Sequence, residues 1–363
     1  MNILFYKWAA SENASSKETR HLGMLTRKAL GLTSRQYRKL LTWGRKQCNL
    51  VETLMSSNQW DKIAFDKLPS RAGLLYSKAF ARREETAQRY KAFLEDKKTT
   101  VNTGTLYPYD VVKKAADAMG SNIYYRHYTP IDDPNRQVAN KYWANLHDYF
   151  NGATLNALCV CDTSGSMTNG SYGVAPIDVA ISLALYTAEK ANGPFKNHFI
   201  SFSSRPQLIE TKGIDFCEKV DKIYKQNLCE NTNIEATFDL ILNIAYQNHL
   251  TQEDLPKTLI IISDMQFDSM RTNRHTPTAT LMENIAFKWQ QYGYKRPNLV
   301  FWNVNASLSD GNIPMRDQDG VTFVSGCSPV IFKSIMEDKT GYQICMDTLN
   351  QDRYSSIYSI KEL

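Results

Sequence analysis

The stretch LNALCVCDTSGSM, residues 155–167, decides the fold of this 363-residue chain. It begins with a short run of apolar residues, which is typical of a buried strand, and changes at Asp162 to small polar residues. The segment PIDVAISLALYTAEK, residues 176–190, follows, and its apolar residues recur at the helical period. A buried strand followed by such a helix is the repeating unit of a parallel sheet covered on both faces.

More units of this kind follow towards the C-terminus. Strands are predicted at HFISFSS (198–204), TLIIISDM (258–265), NLVFWNVN (298–305) and VTFVSG (321–326). Helices are predicted at NIEATFDLILNIAYQNHL (233–250), TLMENIAFKWQQYG (280–293) and from the start of SPVIFKSIMED (328–338). The alternation predicts a doubly wound, mostly parallel α/β sheet in a domain of residues 151–363.

The first 150 residues have the periodicity of helices and predict a separate all-α domain over residues 1–150. The segment TSRQYRKLLTWGRKQCNL (33–50) predicts an amphipathic helix that Thr33 or Ser34 can cap. One long helix is predicted through LLYSKAFARREETAQRYKAFLEDKK (74–98). Shorter helices are predicted in PYDVVKKAADAMG (108–120) and NRQVANKYWANLHDYF (135–150).

The charge of the chain is unevenly distributed. The formal net charge is +6, but residues 1–150 carry 25 Lys and Arg against 14 Asp and Glu, and the remainder carries 18 against 23. One face of the helix in residues 33–50 collects five basic side chains, which are Arg35, Arg38, Lys39, Arg45 and Lys46. Two interpretations stay open: a surface that binds a polyanion such as nucleic acid, or the solvated face of an ordinary helical domain.

The location of the protein is predicted from its apolar runs and its cysteines. No apolar run is long enough to cross a bilayer, and MNILFYKWAASENASS lacks the pattern of a signal peptide, so we expect no membrane partner. The seven cysteines are scattered, without a paired CxxC spacing, which favours free thiols in a reducing compartment. We therefore expect a cytoplasmic protein, or a virion-associated one if the chain is viral.

Oxygen-bearing side chains follow the first strand. Asp162, Ser164 and Ser166 form an Asp-x-Ser-x-Ser run, and Gly165 is expected to let the chain turn so that both serines face one point. The strand TLIIIS ends in the same way, at Asp264. Carboxyl ends of parallel strands are where such sheets bind ligands, and a cation would relieve the repulsion between two neighbouring carboxylates. A site built only from oxygen ligands predicts Mg²⁺ or Mn²⁺.

The run Asp162-x-Ser164-x-Ser166 resembles the metal-ion-dependent adhesion site of von Willebrand factor A domains. The resemblance implies that Thr232, in ENTNIEATFD, and Asp264, in SDMQFD, complete the metal site. It also implies that an acidic residue of a protein partner fills the open position on the metal.

A narrower resemblance covers roughly residues 35–340. It is to the domain-of-unknown-function family 2828, which is related to the TROVE module of Ro autoantigens. The stretches that carry it are SRAGLLYSKAF, NTGTLYPYDVV, CDTSGSM, ENTNIEATFDLIL, ISDMQFD, GYKRPNLVFWNV and GVTFVSGCSPVIF. This resemblance implies a second kind of partner, a small noncoding RNA, bound by the basic helical domain.

The motifs of common enzymes are missing from the sequence. It has no HExxH spacing, no GxxxxGK[ST] phosphate loop and no Ser-His-Asp order, and its six histidines are dispersed. An aspartyl phosphohydrolase usually carries a second acid two residues after its nucleophile, where this chain has Ser164. We therefore predict a non-catalytic binding protein, with a metal-dependent phosphoesterase as the alternative.

Overall fold

The chain forms two compact units in the computed structural model, Met1–Asn102 and Thr103–Leu363. The structure describes residues 3–48, 50–119, 130–149, 152, 155–168, 174–203, 205–213, 215–225, 233–265, 278–305, 320–327 and 341–350. Within this part of the chain, no helix is both long and apolar enough to cross a membrane. The domain boundary predicted at residue 150 stays a prediction.

The described part of the first unit is built from helices. These are α1 (Ile3–Trp8), α2 (Lys17–Ala29), α3 (Ser34–Gln47), α4 (Val51–Ser56), α5 (Ser70–Arg82) and α6 (Glu84–Glu95). Helix α3 begins as its sequence predicts: the Thr33 hydroxyl accepts from the backbone N–H of Gln36, whose side chain accepts from the N–H of Thr33. The prediction of an all-α N-terminal part is confirmed.

The single long helix predicted over residues 74–98 is wrong. Arg83 is extended and separates α5 from α6. Because a continuous helix rises about 1.5 Å per residue, it would hold Phe80 and Tyr90 about 15 Å apart along its axis. In the structure, their ring centroids lie 5.3 Å apart, and both rings are buried with Phe65. The break therefore allows an aromatic core that a straight helix could not form.

The second unit contains the sheet. Its described helices are α7 (Pro108–Ala118), α8 (Pro134–Ala144), α9 (Pro176–Lys190), α10 (Phe216–Tyr224), α11 (Ile234–Gln247), α12 (Thr278–Gln291) and α13 (Gly341–Leu349). Its strands are β1 (Ala157–Cys161), β2 (His198–Ser201), β3 (Leu208–Glu210), β4 (Thr258–Ser263), β5 (Asn298–Asn303) and β6 (Val321–Ser325). Strand β3 and helices α10 and α13 were not predicted from the sequence. The helix predicted in residues 328–338 lies outside the described residues.

The six strands form one sheet in the order β3-β2-β1-β4-β5-β6. Every pair is parallel except β2 with β3, which is an antiparallel edge. The chain starts in the middle at β1, moves outward through β2 and β3, and then returns to the other side of β1 with β4. The predicted doubly wound, mostly parallel sheet is confirmed, and its strand order reverses between β1 and β4.

Helices cover both faces of the sheet. Alternate strand residues, such as Leu158, Ile261 and Phe301, form one buried core with α11 and α12. Helix α9 packs against β1, β4 and β2, and none of its residues belongs to that core, so it covers the opposite face. Helix α9 is buried from Pro176 to Ala188, beyond its predicted apolar stripe, because α7 packs against it as well.

Polar contacts join α8 and α10 in this layer. The Arg136 guanidinium of α8 donates to both carboxylate oxygens of Asp215, at 2.7 and 3.1 Å. Asp215 also caps α10 by accepting from the N–H of Glu218. Burial alone would raise the pKa of Asp215, but the hydrogen bonds from Arg136, Glu218 and Asn140 lower it below its usual value.

Candidate metal centre

The two strand-end aspartates lie at the point where the strand order reverses. Strands β1 and β4 are hydrogen-bonded neighbours in parallel register, with Cys161 opposite Ile262. The N–H of Asp162 continues this ladder by donating to the carbonyl of Ile262 at 3.0 Å. Asp264 follows two residues later, so both acids leave the same edge of the sheet, which is where open α/β sheets bind ligands.

Both carboxylate oxygens of Asp162 accept hydrogen bonds. It is 2% exposed. Its Oδ1 accepts from the backbone N–H of Ser164 at 2.9 Å, and its Oδ2 accepts from the hydroxyl of Ser263 at 2.5 Å. The carboxylate therefore has a defined orientation, set by the turn that follows β1 and by the last residue of β4.

The two serines of the run come together in the turn after β1. The hydroxyls of Ser164 and Ser166 lie 3.1 Å apart, and both side chains are half-buried. The role predicted for Gly165 is wrong: its φ is not in the left-handed region, and an added Cβ would meet no atom within 4 Å. The turn forms without a steric need for glycine. Thr232 lies outside the described residues.

Asp264 lies beside an unusual backbone conformation. It is 1% exposed, and the next residue, Met265, has a φ of 64°, which is the left-handed region that non-glycine residues seldom adopt. The N–H of Met265 donates to the Ser263 hydroxyl at 3.1 Å. The Ser263 hydroxyl thus ties the turn that carries Asp264 to the carboxylate of Asp162.

Ser263 is a site residue that was not predicted from the sequence. Its side chain is completely buried, and its hydroxyl bridges the two loops of the site. A signal was present, because a serine ends an otherwise apolar strand directly before a strand-end aspartate. Only the register between β1 and β4 shows that this serine reaches Asp162.

The surroundings of Asp162 disfavour the negatively charged form of its carboxyl group. Burial raises the pKa of Asp162, and the nearby charge of Asp264 raises it further, whereas the hydrogen bonds from Ser263 and Ser164 lower it without cancelling the rise. A positive ion beside Asp162 would favour the charged form of its carboxylate.

The donor set fits a hard cation. Two buried carboxylates and two adjacent hydroxyls are the oxygen ligands that Mg²⁺ and Mn²⁺ take in proteins, often together with water. The described residues contain no group of three or more His, Cys, Asp or Glu placed to hold a metal.

The five basic side chains predicted on one face of α3 have two different surroundings. Four of them, Arg35, Arg38, Lys39 and Lys46, line a shallow cavity of about 520 Å³ together with Thr42 and Trp43. Arg45 instead donates to the carbonyls of Tyr6 and Ala9, at 3.1 and 2.9 Å, and so supports the fold of the first unit. Trp43, which the sequence analysis did not single out, is 51% exposed within this face.

The fold and the site together define a class of protein: a doubly wound α/β domain with paired acids at its switch point, preceded by a helical unit. Residues 156–356 match the family model described as Domain of unknown function (DUF7788), and residues 4–152 match the one described as Domain of unknown function (DUF2828). The chain belongs to the DUF7788 family, and its N-terminal part confirms the resemblance to family 2828.

Two similar proteins extend this comparison. The chain is 32% identical over 346 residues to "Uncharacterized protein L728" of Acanthamoeba polyphaga mimivirus, a match that covers 91% of this chain and 57% of that protein. The chain thus spans little more than half of that relative's length. It is also similar to a crystal structure of the Deinococcus radiodurans RO (RSR) protein, with a TM-score of 0.46 and 15% identity, covering 93% of this chain and 74% of that one.

Proposed function

We propose that the protein is a non-catalytic binding protein whose sheet domain holds Mg²⁺, or Mn²⁺, and uses it to recruit a protein partner. In this proposal, Asp162, Ser164 and Ser166 supply ligands from the turn after β1, and Thr232 and Asp264 complete the set. The ion supplies positive charge at the edge of the sheet, where an acidic residue of the partner joins its coordination shell.

One observation carries the proposal: two almost completely buried carboxylates end neighbouring parallel strands, beside two hydroxyls that face each other. Burying carboxylates is costly, so two buried acids at one edge of a sheet are typical of a functional site. The hydrogen bonds from Ser263 and Ser164 orient Asp162 before any ligand arrives. Such orientation of ligands is typical of metal sites.

Partner recruitment rests on the resemblance to von Willebrand factor A domains and on the exposure of the turn. Gly165 is exposed, and among the described residues no atom beyond its chain neighbours lies within 4 Å of the position that a Cβ would take. The turn between the two serines therefore leaves room for an incoming carboxylate.

The test is a thermal-shift titration of the full chain with MgCl₂ and MnCl₂. We expect metal to raise the Tm of the native protein and to leave the Tm of Asp162→Ala unchanged. The control is Glu210→Gln, which removes an exposed acid from the edge strand β3 and should keep the native response. If metal raises the Tm of Asp162→Ala as much as it raises that of the native protein, the site is excluded.

A second candidate function, RNA binding by the first unit, is favoured by the distribution of charge. The unit Met1–Asn102 carries 20 Lys and Arg against 9 Asp and Glu, so the excess of basic charge predicted for residues 1–150 lies entirely within it. Four basic side chains surround the exposed Trp43 on α3. Cations that contact phosphates, beside a ring on which a base can stack, suit single-stranded nucleic acid.

Gel shifts with single-stranded and structured RNA at low and moderate salt test this candidate. We expect binding that weakens steeply with salt and that is reduced in Arg38→Gln and in Trp43→Ala. The control is Lys91→Gln, which removes an exposed cation from α6, where it pairs with Glu95. Absence of retardation at low salt would end this candidate.

We also propose a cytoplasmic location. Cys159, Cys161 and Cys217 are buried and unbridged. Unbridged thiols agree with a reducing compartment.

A further inference from the structure

A groove runs along the edge of the sheet opposite to the candidate metal centre. It consists of two adjoining cavities of about 780 and 600 Å³, which share Gln252, Lys295, Arg296 and Asn298. Asn298 begins β5, and three further lining residues directly precede other strands: Asn156 precedes β1, Lys257 precedes β4 and Gly320 precedes β6. The groove thus follows the amino ends of the parallel strands.

Hydrogen bonds make the walls of this groove rigid. The Gln252 side chain donates to the carbonyl of Lys295 at 3.1 Å and accepts from its N–H at 2.6 Å, so the loop before β5 is clamped. The N–H of Lys257 donates to both the backbone carbonyl and the side-chain oxygen of Asn156, each at 3.0 Å. Gln252 and Asn156 therefore hold the backbone at both lysines in place.

The groove is positively charged although the unit around it is acidic. Among the residues that the structure describes, Lys257, Lys295 and Arg296 line it together with one acid, Glu253. The unit Thr103–Leu363 as a whole carries 23 Lys and Arg against 28 Asp and Glu. This local excess of positive charge therefore does not follow from the average composition of the unit.

Arg296 is the cation with the most restricted surroundings. Its guanidinium donates to the carbonyl of Pro297 at 2.9 Å, and the residue is half-buried. Burial lowers the pKa of Arg296, which reflects the partial loss of water around its charge. A planar guanidinium fits the oxygens of a phosphate well.

The geometry points to a binding site for a small organic phosphate of nucleotide size, held by Arg296, Lys295 and Lys257. Each cavity lies within the range of about 300–1,000 Å³ that is usual for small-molecule sites. That volume suits a small ligand rather than a folded partner. Gln290 and Asn298 add amide groups that can hydrogen bond to the remainder of the ligand.

Calorimetric titration of the full chain with AMP, adenosine, inorganic phosphate and citrate tests the site. EDTA in the buffer prevents a bound metal from attracting phosphate to the candidate metal centre. We expect AMP to bind at least about tenfold more tightly than adenosine, because adenosine lacks the charged group. Weak binding of inorganic phosphate alone would confirm that the phosphate is the anchoring part.

Two variants locate the binding. Arg296→Gln and Lys295→Gln should each weaken AMP binding by about tenfold or more. Lys295 is exposed, so its variant keeps the test valid even if Arg296→Gln folds poorly. The control, Lys212→Gln, removes an exposed cation from the same unit that is not among the residues lining the groove. Absence of AMP binding, equal losses in all three variants, or citrate binding as tightly as AMP would each overturn the proposal.

Discussion

Replacing Ser263 by alanine should damage both the fold and the candidate metal centre. The hydroxyl of Ser263 donates to Asp162 and accepts from the N–H of Met265, at 2.5 and 3.1 Å. The side chain has no exposed surface, so water has no direct access to replace these contacts. The substitution therefore leaves a buried carboxylate oxygen and a buried N–H without their partners.

The size of the effect follows from these two contacts. Loss of a hydrogen bond to a charged group costs about 1.5–3 kcal/mol, and a buried N–H without an acceptor costs about 1–3 kcal/mol. Because the two contacts share one atom, their costs are not independent, and we expect a total of about 3 kcal/mol. For a unit of this size, that corresponds to a fall in Tm of roughly 6–12 °C.

The metal affinity should fall in parallel. Residues that orient metal ligands typically contribute about 10–100-fold to affinity, and Ser263 orients Asp162. Urea unfolding measures the loss of stability in Ser263→Ala, and calorimetric titration with MgCl₂ measures the loss of metal affinity. If metal binding fails in the native protein as well, the stability effect still tests the role of Ser263 in the fold.

The matched control is Ser182→Ala. Ser182 is also completely buried, but its hydroxyl donates to the carbonyl of Val179 within its own helix, α9. Its loss should cost about 1 kcal/mol, since the carbonyl can still take part in the helix ladder. Equal stabilities of Ser263→Ala and Ser182→Ala would refute the reasoning about the shared hydroxyl.

Three further predictions concern stability and catalysis. Asp215→Asn should destabilise the second unit by about 3 kcal/mol, because the ion pair between Arg136 and Asp215 is lost. Since the pKa of Asp215 is lowered on folding, its carboxylate stabilises the native protein above its ordinary pKa of 3.8, and this stability is lost as the pH falls through the lowered value. The urea midpoints of the native protein and of Asp215→Asn should therefore differ at pH 7 and approach each other as the pH falls through the lowered pKa. Gly44→Ala should destabilise the first unit by about 1–3 kcal/mol in thermal unfolding, because the new Cβ would lie 2.0 Å from the Tyr6 ring, and an unchanged Tm would contradict this packing of α1 on α3. A generic phosphatase substrate with Mn²⁺ should show no turnover above background, and turnover that Asp162→Asn abolishes would favour the phosphoesterase alternative.

Residues close in sequence predicted much of the candidate site. The apolar run of β1 followed by Asp162, Ser164 and Ser166 is a local pattern, and the period of the strand places the change to polar residues at its carboxyl end. The second acid, Asp264, was found in the same way. The bridge made by Ser263 could not be found locally, because 101 positions separate it from Asp162.

In the helical unit too, features that depend on neighbouring residues were predictable, and features that depend on tertiary contacts were not. The capping box of Thr33 and Gln36 depends on four consecutive residues and was open to prediction. The break at Arg83 was not, because both flanking segments have helical sequences and the packing of Phe80 against Tyr90 is a tertiary contact. The role of Arg45 likewise depends on carbonyls of α1 and the residues just after it, which the periodicity of α3 does not reveal.

By itself, the order of residues determined the class of fold, because buried strands and amphipathic helices are patterns of neighbouring side chains. It also determined which acids end the strands. The tertiary structure alone decided that β4 lies beside β1, which places the two acids at one edge, and that loops distant in sequence form a basic groove at the other edge. The physical reason is that strand order and loop proximity arise from burial of the whole sheet between its helices, and no local stretch of the chain carries that information.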